Sequence, residues 1–280
     1  MTTTTGGILC SVACFLILFA AAGEAAKAED LTVHEIVRKA NHMASYQGRD
    51  AKGRVRMVIT DKQGRTRERV FNMLRRDDGE GDKDQKSFAY FHAPADVRKM
   101  VYVVHKRAAL EKDDDRWLYM PSLDLVKRIA ASDKRTSFVG SDFLYEDISG
   151  RSPAEDLHEL IETTPDHFVI KNVPRKPKEV EFEYYIAHVD RKTFMPVRME
   201  YFKTGDRLYR IIEARKIEEI QAREDGGAVL YPTVTESVAR DLEYGSHTVM
   251  TFSDIKYNIG FDEDIFTERY LRRPPRDAMR

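Results

Sequence analysis

The chain has 280 residues, a third of them charged, and a formal net charge of −1 at pH 7. Acidic and basic residues alternate and form no basic stripe with interleaved aromatics, which argues against a nucleic-acid partner. Both cysteines, Cys10 and Cys14, lie near the N-terminus, so the remainder of the chain holds no disulfide, cysteine nucleophile or thiolate metal site.

The N-terminal segment contains an apolar run from Ile8 to Ala22, shorter than the roughly 20 residues that span a bilayer. The following Ala26-Lys27-Ala28 is an A-x-A cleavage pattern, so the segment predicts a signal peptide over residues 1–28. No Lys or Arg precedes the run, and an uncleaved membrane anchor is the alternative. Lipidation at Cys14 is disfavoured because most of the apolar run follows it. We therefore expect an exported protein of the Gram-negative periplasm, with residues 29–280 forming one domain.

The exported part opens with an amphipathic helix in "DLTVHEIVRKANHMASYQG", whose apolar residues recur at helical spacing up to Gly48. The period then changes to two. "GRVRMVIT", "RTRERVFNMLRR", "QKSFAYFHAP" and "KMVYVVHK" alternate and are separated by polar turns. This pattern is typical of consecutive antiparallel strands.

The middle of the chain predicts a hairpin and a capped helix. Asp113-Asp114-Asp115 is interpreted as an acidic turn, since no spaced oxygen ligands with a bend glycine surround it as in a calcium site. "RWLYMP" is predicted as a strand that Pro121 ends, and "LVKRIA" as the return strand. "SDFLYEDI" is predicted as a helix capped by Ser141 or Asp142 and ended by Gly150.

The second half repeats the alternation in six further runs, and "DEDIFTERYLRR" predicts a short closing helix. The whole pattern predicts a mainly β fold with helices (α+β) and about ten or eleven strands. A sheet of this length curls to hide one apolar face, so we expect one strongly curved antiparallel sheet. It would form an unclosed half-barrel with helices on its concave side. A two-sheet sandwich is the alternative.

The pair "RWLYMPSLDLVKRI" and "RTSFVGSDFLYEDI" resembles the signature of the LolA-like family of outer-membrane lipoprotein-sorting proteins. "FHAPADVRKMVYVV" and "YNIGFDEDIFTERYL" also resemble it, so the likeness covers essentially the whole exported chain. One departure is Lys99-Met100, which stands where the family commonly has Gly-Thr. The resemblance implies an open half-barrel of the LolA/LolB type around a hydrophobic cavity, with a helical or lid insertion around residues 133–160.

Strand alternation and the resemblance together predict which side chains line that cavity. Large, adaptable Met and aromatic residues suit variable apolar ligands. The predicted ligand-binding residues are Met57, Phe71, Met73, Phe88, Tyr90, Trp117, Tyr119, Phe143, Met199, Tyr201, Met250 and Phe252.

Two groups of residues raise the alternative of a hydrolase, although neither G-x-S-x-G nor H-E-x-x-H occurs. His188 and Asp190 could ligate a metal, but a surface ion pair is the favoured interpretation. The carboxylates 142, 146 and 147 could be paired acids, but a docked helix is favoured. Its expected partners are Lys127, Arg128 and Arg135.

The favoured function is that of a periplasmic carrier that sequesters acyl chains of lipoproteins or lipids for transport to or from the outer membrane. We expect no enzyme activity, no catalytic residues, no metal and no cofactor. The expected partners are an acylated lipoprotein or lipid, and an RND/MMPL-type inner-membrane exporter or an outer-membrane acceptor. We expect a monomer. A lipoprotein sensor or adaptor for a membrane partner is the alternative, since it needs the same cavity.

Overall fold

The computed structural model describes residues 1–2, 31–109, 111–224 and 226–280. Most of the predicted signal peptide, including Cys10 and Cys14, lies outside the described residues. The chain divides into two units, Met1–Leu31 and Thr32–Arg280, and the second contains every helix and strand described below.

Helix α1 (Val33–Ser45) forms where the helical period predicts it. Its first turn is closed by a reciprocal pair of hydrogen bonds: Glu35 N donates to Thr32 Oγ1, and Thr32 N donates to the Glu35 carboxylate. Only Ile36 and Ala40 of the helix are fully buried. Two shorter helices follow, α2 (Tyr145–Ser149) and α3 (Arg276–Met279).

One antiparallel sheet contains all thirteen strands of the described residues. The strands are β1 (Asp50–Thr60), β2 (Thr66–Asp78), β3 (Asp84–Ala93), β4 (Val101–Lys106), β5 (Asp115–Met120), β6 (Leu125–Arg128), β7 (Asp156–Thr163), β8 (His167–Pro174), β9 (Tyr184–Asp190), β10 (Pro196–Lys203), β11 (Arg207–Glu224), β12 (Gly227–Asp241) and β13 (Ser246–Tyr257). Their order is β6-β5-β4-β3-β2-β1-β13-β12-β11-β10-β9-β8-β7, so the sheet has two free edges, β6 and β7. The single unclosed sheet is confirmed and the sandwich alternative is wrong.

Contacts of α1 show how strongly the sheet curves. Gln85 of β3 donates to the carbonyl of Ser45 at one end of α1, at 2.8 Å. At the other end, the ring of His34 lies 6.2 Å from the ring of His158 on β7. Strands β3 and β7 are fourth and thirteenth in the order, nine spacings apart. A flat sheet would separate them by about 43 Å, whereas a helix of this length spans only about 20 Å. The sheet therefore wraps around α1.

The connection between β6 and β7, here called the strap (residues 129–155), joins one edge of the sheet to the other across the inner face. Phe138 is its apolar anchor. Its ring lies 6.0 Å from those of Phe71 and Phe91 and 5.3 Å from that of Tyr102. These rings belong to the core cluster of the inner face.

The predicted helix of the strap is shorter than expected. Gly150 ends it as predicted, with φ 79°. Its start is wrong, because Asp142 turns away and accepts hydrogen bonds from Ser246 and from Thr248, the latter at 2.6 Å. The helix begins instead at Tyr145, where the carboxylate of Asp147 accepts from Leu144 N at 2.6 Å.

Buried ion pairs join the strap to β11 and β7, and others join residues within the strap. Asp147 pairs with Arg210 of β11. Glu146 accepts from Arg135 at 2.7 Å and also pairs with Lys134 and Arg151, at 3.1 and 3.2 Å. Burial would raise the pKa of Glu146, but Arg151, Arg135 and Lys134 outweigh it and hold that pKa below its ordinary value. Of the three partners expected for these acids, only Arg135 is confirmed.

The outer face of β2–β5 is covered by the C-terminal segment, residues 261–280. Asp50 fixes the start of that segment by accepting from the backbone N–H groups of residues 259, 260 and 261, at 2.6–2.9 Å. Asn72 fixes its end by donating to the carbonyl oxygens of Ala278 and Arg280. The predicted closing helix is wrong, since two short 3-10 turns form there, Glu263–Phe266 and Glu268–Tyr270.

The sequence does not predict β7, because its pattern lacks the apolar alternation of a packed strand. Only Asp156 of this strand is buried. As an edge strand it pairs with β8 alone. The last five residues of the predicted insertion, 156–160, therefore belong to the sheet and not to a lid.

The family departure at Lys99 has a measurable consequence. Lys99 adopts φ 67°, in the left-handed region that glycine tolerates and a side chain does not. We expect Lys99→Gly to raise the free energy of unfolding by about 0.5–1 kcal/mol. Urea denaturation measures this. Arg98→Gly is the matched control, since Arg98 is also exposed but does not adopt a positive φ, and should lower stability. An equal loss in both variants would contradict the strain.

The ion cluster predicts a pH dependence of stability. Because the pKa of Glu146 is lowered on folding, its contribution is complete above the ordinary value of 4.5 and disappears as pH falls through the folded value. Glu146→Gln should therefore cost about 3 kcal/mol at pH 7, and the difference from the wild type should shrink in acid. Urea unfolding from pH 7 to pH 3 tests this.

The matched control is Glu159→Gln, an exposed carboxylate on β7 that should leave the profile unchanged. A Glu146→Gln penalty that stays constant over the whole pH range would show that the charge of Glu146 does not stabilise the strap.

Candidate functional site

A cavity of about 500 Å³ lies between α1, the strap and the inner face of the sheet. This volume is within the range of small-molecule sites in proteins. Strands from both halves of the sheet contribute to its wall, and α1 and the strap cover it. The cavity is the space that α1 and the strap leave unfilled inside the curved sheet.

Alternate residues of the strands supply the apolar wall. On β9 they are Tyr185, Ala187 and Val189, and on β13 they include Met250 and Phe252. Residues two apart point to the same face of a strand, so each strand contributes every second side chain. The wall is mainly aliphatic, aromatic and methionine side chains, which suit a flexible apolar ligand.

The charged side chains that the strap contributes to the cavity are already paired. Glu146, Asp147 and Arg151 reach it from the strap, and each forms an ion pair with another side chain. Tyr185 donates to Asp156 Oδ2 at 2.9 Å. Burial raises the pKa of Tyr185 well above its ordinary value, so it remains a neutral donor. These polar groups shape one end of the cavity without presenting an unpaired charge to it.

Seven of the twelve residues predicted from the sequence lie on the cavity wall. They are Phe71, Met73, Phe143, Met199, Tyr201, Met250 and Phe252. Met57 is fully buried in the core cluster of the same face but does not reach the cavity.

Four predicted residues lie on the opposite face: Phe88, Tyr90, Trp117 and Tyr119. They pack with the C-terminal segment, for example against Phe266. The correction has a simple cause. Strands β3, β4 and β5 are apolar on both faces, so alternation alone does not distinguish the inner set from the outer set. The structure assigns Ala89, Phe91 and Leu118 to the inner face instead.

Sequence reasoning missed the contribution of α1 and of the small residues. Val37, Ala40 and Met43 of α1 line the cavity, as do Gly53 and Ala214 of the sheet. The helical period of the N-terminal segment already marks Ala40 and Met43 as its apolar stripe. The small residues carry no sequence signal, since they matter only because they leave space between larger neighbours.

The candidate catalytic groups are engaged elsewhere. His188 lies 3.3 Å from Glu200 of the neighbouring strand β10 and not beside Asp190, so the predicted surface pair has a different partner. Asp190 instead accepts hydrogen bonds in its own turn, from residues 192 and 193. In the described part of the chain, no group of three or more His, Cys, Asp or Glu side chains could hold a metal ion.

A second cavity, of about 620 Å³, lies on the other side of α1. Its wall is more polar and includes Arg38, Lys106 and Arg175. Four residues border both cavities: Val37 and Asn41 of α1, and Pro153 and His158 opposite them. The helix therefore separates an apolar space from a basic one.

No helix among the described residues combines the length and the hydropathy needed to cross a membrane.

Comparisons with known proteins agree with this architecture. A family model described as "Uncharacterized protein" matches residues 83–273. A DUF1329 family protein from Desulfovibrio piger is 29% identical with a TM-score of 0.74, over 84% of this chain and 95% of the other. No match is found among curated proteins.

Two further solved structures share the fold. A domain described as an outer-membrane lipoprotein-sorting protein, from Vibrio parahaemolyticus, is 24% identical with a TM-score of 0.72, over 85% of this chain and 97% of its own. A LolA superfamily protein from Nitrosomonas europaea is 19% identical with a TM-score of 0.61, over 86% and 99%. The family model matches more than half of the chain, so the protein belongs to that family of uncharacterized proteins, and it has the fold of these solved structures.

Proposed function

We propose that the protein is a periplasmic carrier that buries acyl chains of lipids or lipoproteins in its apolar cavity, for transport to or from the outer membrane. The observation that carries the proposal is the cavity itself, about 500 Å³ behind a mainly apolar wall. The fold is shared with a domain described as an outer-membrane lipoprotein-sorting protein.

The energetics of acyl chains explain why such a cavity is useful. Removal of one methylene group from water is favourable by about 0.8 kcal/mol. Exposure of a chain of some fifteen methylenes to water therefore costs a free energy on the order of 12 kcal/mol. Free diffusion of such a molecule through an aqueous compartment is therefore rare. A protein that supplies a comparable apolar environment removes the barrier and needs no reaction chemistry to do so.

Helix α1 is the part of the cover that opens in this proposal. Its C-terminal end is fixed to the sheet, since Tyr46 donates to the carbonyl of Lys83 at 2.7 Å and Gln47 to that of Pro232 at 2.7 Å. The strap, in contrast, is held on β11 and β7 by buried ion pairs and on β2–β4 by the packing of Phe138. Rotation of α1 about its fixed end would expose the apolar wall at a smaller cost than release of the strap.

The source of the cargo and its recipient follow from the same proposal. A monomeric carrier exchanges its load with an RND/MMPL-type exporter of the inner membrane or with an outer-membrane acceptor. Native mass spectrometry of protein isolated from its own periplasm tests the cargo. Stoichiometric acyl lipid or acylated peptide would support the carrier, and lipid-free protein that takes up no fluorescent acyl probe would contradict it.

A cavity-filling substitution should block binding. Ala187 lies on the cavity wall between Tyr185 and Val189 on the same strand face, and it is only half-buried. We expect Ala187→Trp to weaken binding of a fluorescent fatty acyl probe at least about tenfold, because an indole takes space from several methylenes at about 0.8 kcal/mol each. Fluorescence titration measures the Kd.

Two controls accompany this variant. Ala228→Trp adds the same ring at an exposed position of β12 and should leave the Kd unchanged. Trp117→Phe removes the native Trp of the outer face and should also bind the probe normally, since Trp117 packs with the C-terminal segment. If Ala187→Trp folds and binds like the wild type, the probe occupies another site and the proposed cavity is wrong.

A further inference from the structure

A buried lysine that forms no ion pair within the described residues lies on the wall of the second cavity. Lys106, the last residue of β4, is only 5% exposed and lies on the wall of this cavity. Among the residues that the structure describes, it has no hydrogen-bond acceptor and no carboxylate within ion-pair distance. Its nearest defined interaction is with the face of the Tyr46 ring, whose centroid lies 5.6 Å from Nζ.

The other buried cations show how exceptional this arrangement is. Arg69 pairs with Asp96 at 3.2 Å, Arg116 pairs with Asp114, and Arg210 pairs with Asp147. A buried charge without a partner costs several kcal/mol, so proteins pair such groups or use them. Lys106 is the one of these four buried cations that pairs with no carboxylate in the described part of the chain.

The carboxylates around Lys106 do not supply that partner. Burial lowers the pKa of Lys106, and the nearest acids, Asp114, Glu155 and Glu146, only partly oppose this shift. Each of these acids is engaged by other cations: Asp114 by Arg116, and both glutamates by Lys134 and Arg151.

The acids in the cavity wall are engaged as well. Asp82 accepts from His42, with its oxygens 2.9 and 3.1 Å from Nδ1. Asp156 accepts from Arg151 at 2.8 and 2.9 Å. The exposed Arg38 and Arg175 form no ion pair within the described part of the chain. Lys106, Arg38 and Arg175 therefore line this space, while Asp156 is paired with Arg151 and Asp82 is hydrogen-bonded to His42.

Lys106 also lies close to a residue that lines the apolar cavity. A side-chain carbon built on Gly150, which lines the apolar cavity, would lie 3.0 Å from Lys106 Nζ. The ammonium group therefore lies beside the wall of the apolar cavity while Lys106 itself lines the second cavity.

We propose that the second cavity binds the anionic phosphate head group of the amphiphile whose acyl chain occupies the apolar cavity, with Lys106 as its buried ligand and Arg38 and Arg175 at its mouth. This inference rests on the proposed function and adds the class of cargo: a phosphate-bearing lipid. Charged hydrogen bonds to a phosphate supply the partner that Lys106 lacks.

Two probes with one chain test the head group. A pyrene-labelled long-chain alkyl phosphate and the matching pyrene-labelled alcohol are titrated into the full-length exported protein. We expect the wild type to bind the phosphate at least about tenfold more tightly, the effect of one charged hydrogen bond. Lys106→Met should lose this preference, retain the affinity for the alcohol, and show an unchanged or higher Tm, since the substitution removes an unpaired buried charge.

The controls separate charge at this site from charge in general. Lys62→Met removes an exposed lysine of the β1–β2 turn and should keep the preference for phosphate. The double variant Arg38→Gln/Arg175→Gln leaves the interior intact and should reduce the preference about two- to threefold, as expected of exposed charges. It keeps the inference testable even if Lys106→Met fails to fold.

The outcomes distinguish this inference from the proposed function. Equal binding of both probes by the wild type, or a preference that survives in Lys106→Met, overturns the phosphate site and leaves the carrier intact. Binding of neither probe overturns the carrier itself. Calorimetry with inorganic phosphate is the third arm: binding as tight as that of the alkyl phosphate, and lost in Lys106→Met, assigns the site to free phosphate and overturns the lipid head group.

Discussion

The fold depends on one constraint: a single open sheet with two free edges must stay curved around α1 and the strap, which cover its inner face. The chain meets it with the strap, which leaves the sheet at the edge strand β6 and returns at the other edge, β7. Phe138 packs on the first half of the sheet, and Asp147 pairs with Arg210 of the second. Both attachments are buried, so the strap links the two halves of the sheet across its inner face.

This constraint explains the distribution of charge inside the protein. Ion pairs in a low-dielectric interior contribute little net stability over apolar packing, but removal of one partner is costly. The cluster around Glu146 therefore favours one geometry of the strap over others. It also leaves the strap's side of the apolar cavity without unpaired charge, whereas Lys106 lines the basic cavity without a carboxylate partner.

The two cavities and α1 together fit the proposed binding of an amphiphile. In that proposal the apolar space receives chains and the basic space the head group, and Val37 and Asn41 border both. A carrier that recognised only chains would accept any apolar molecule. A paired site for chain and head group restricts the cargo while most of the binding energy still comes from burial of methylenes.

Local patterns in the sequence predict the class of structure and the start of most elements. Helical and two-residue periods, Pro121 and Gly150 identified α1, the hairpins and the end of α2, because these signals are local. The sequence did not determine which face of β3–β5 is inner, since both faces are apolar and Trp117 fits either. It also did not determine the partner of Asp142, the existence of β7, or the isolation of Lys106. Those features depend on which distant residues the curved sheet brings together, so no local pattern predicts them.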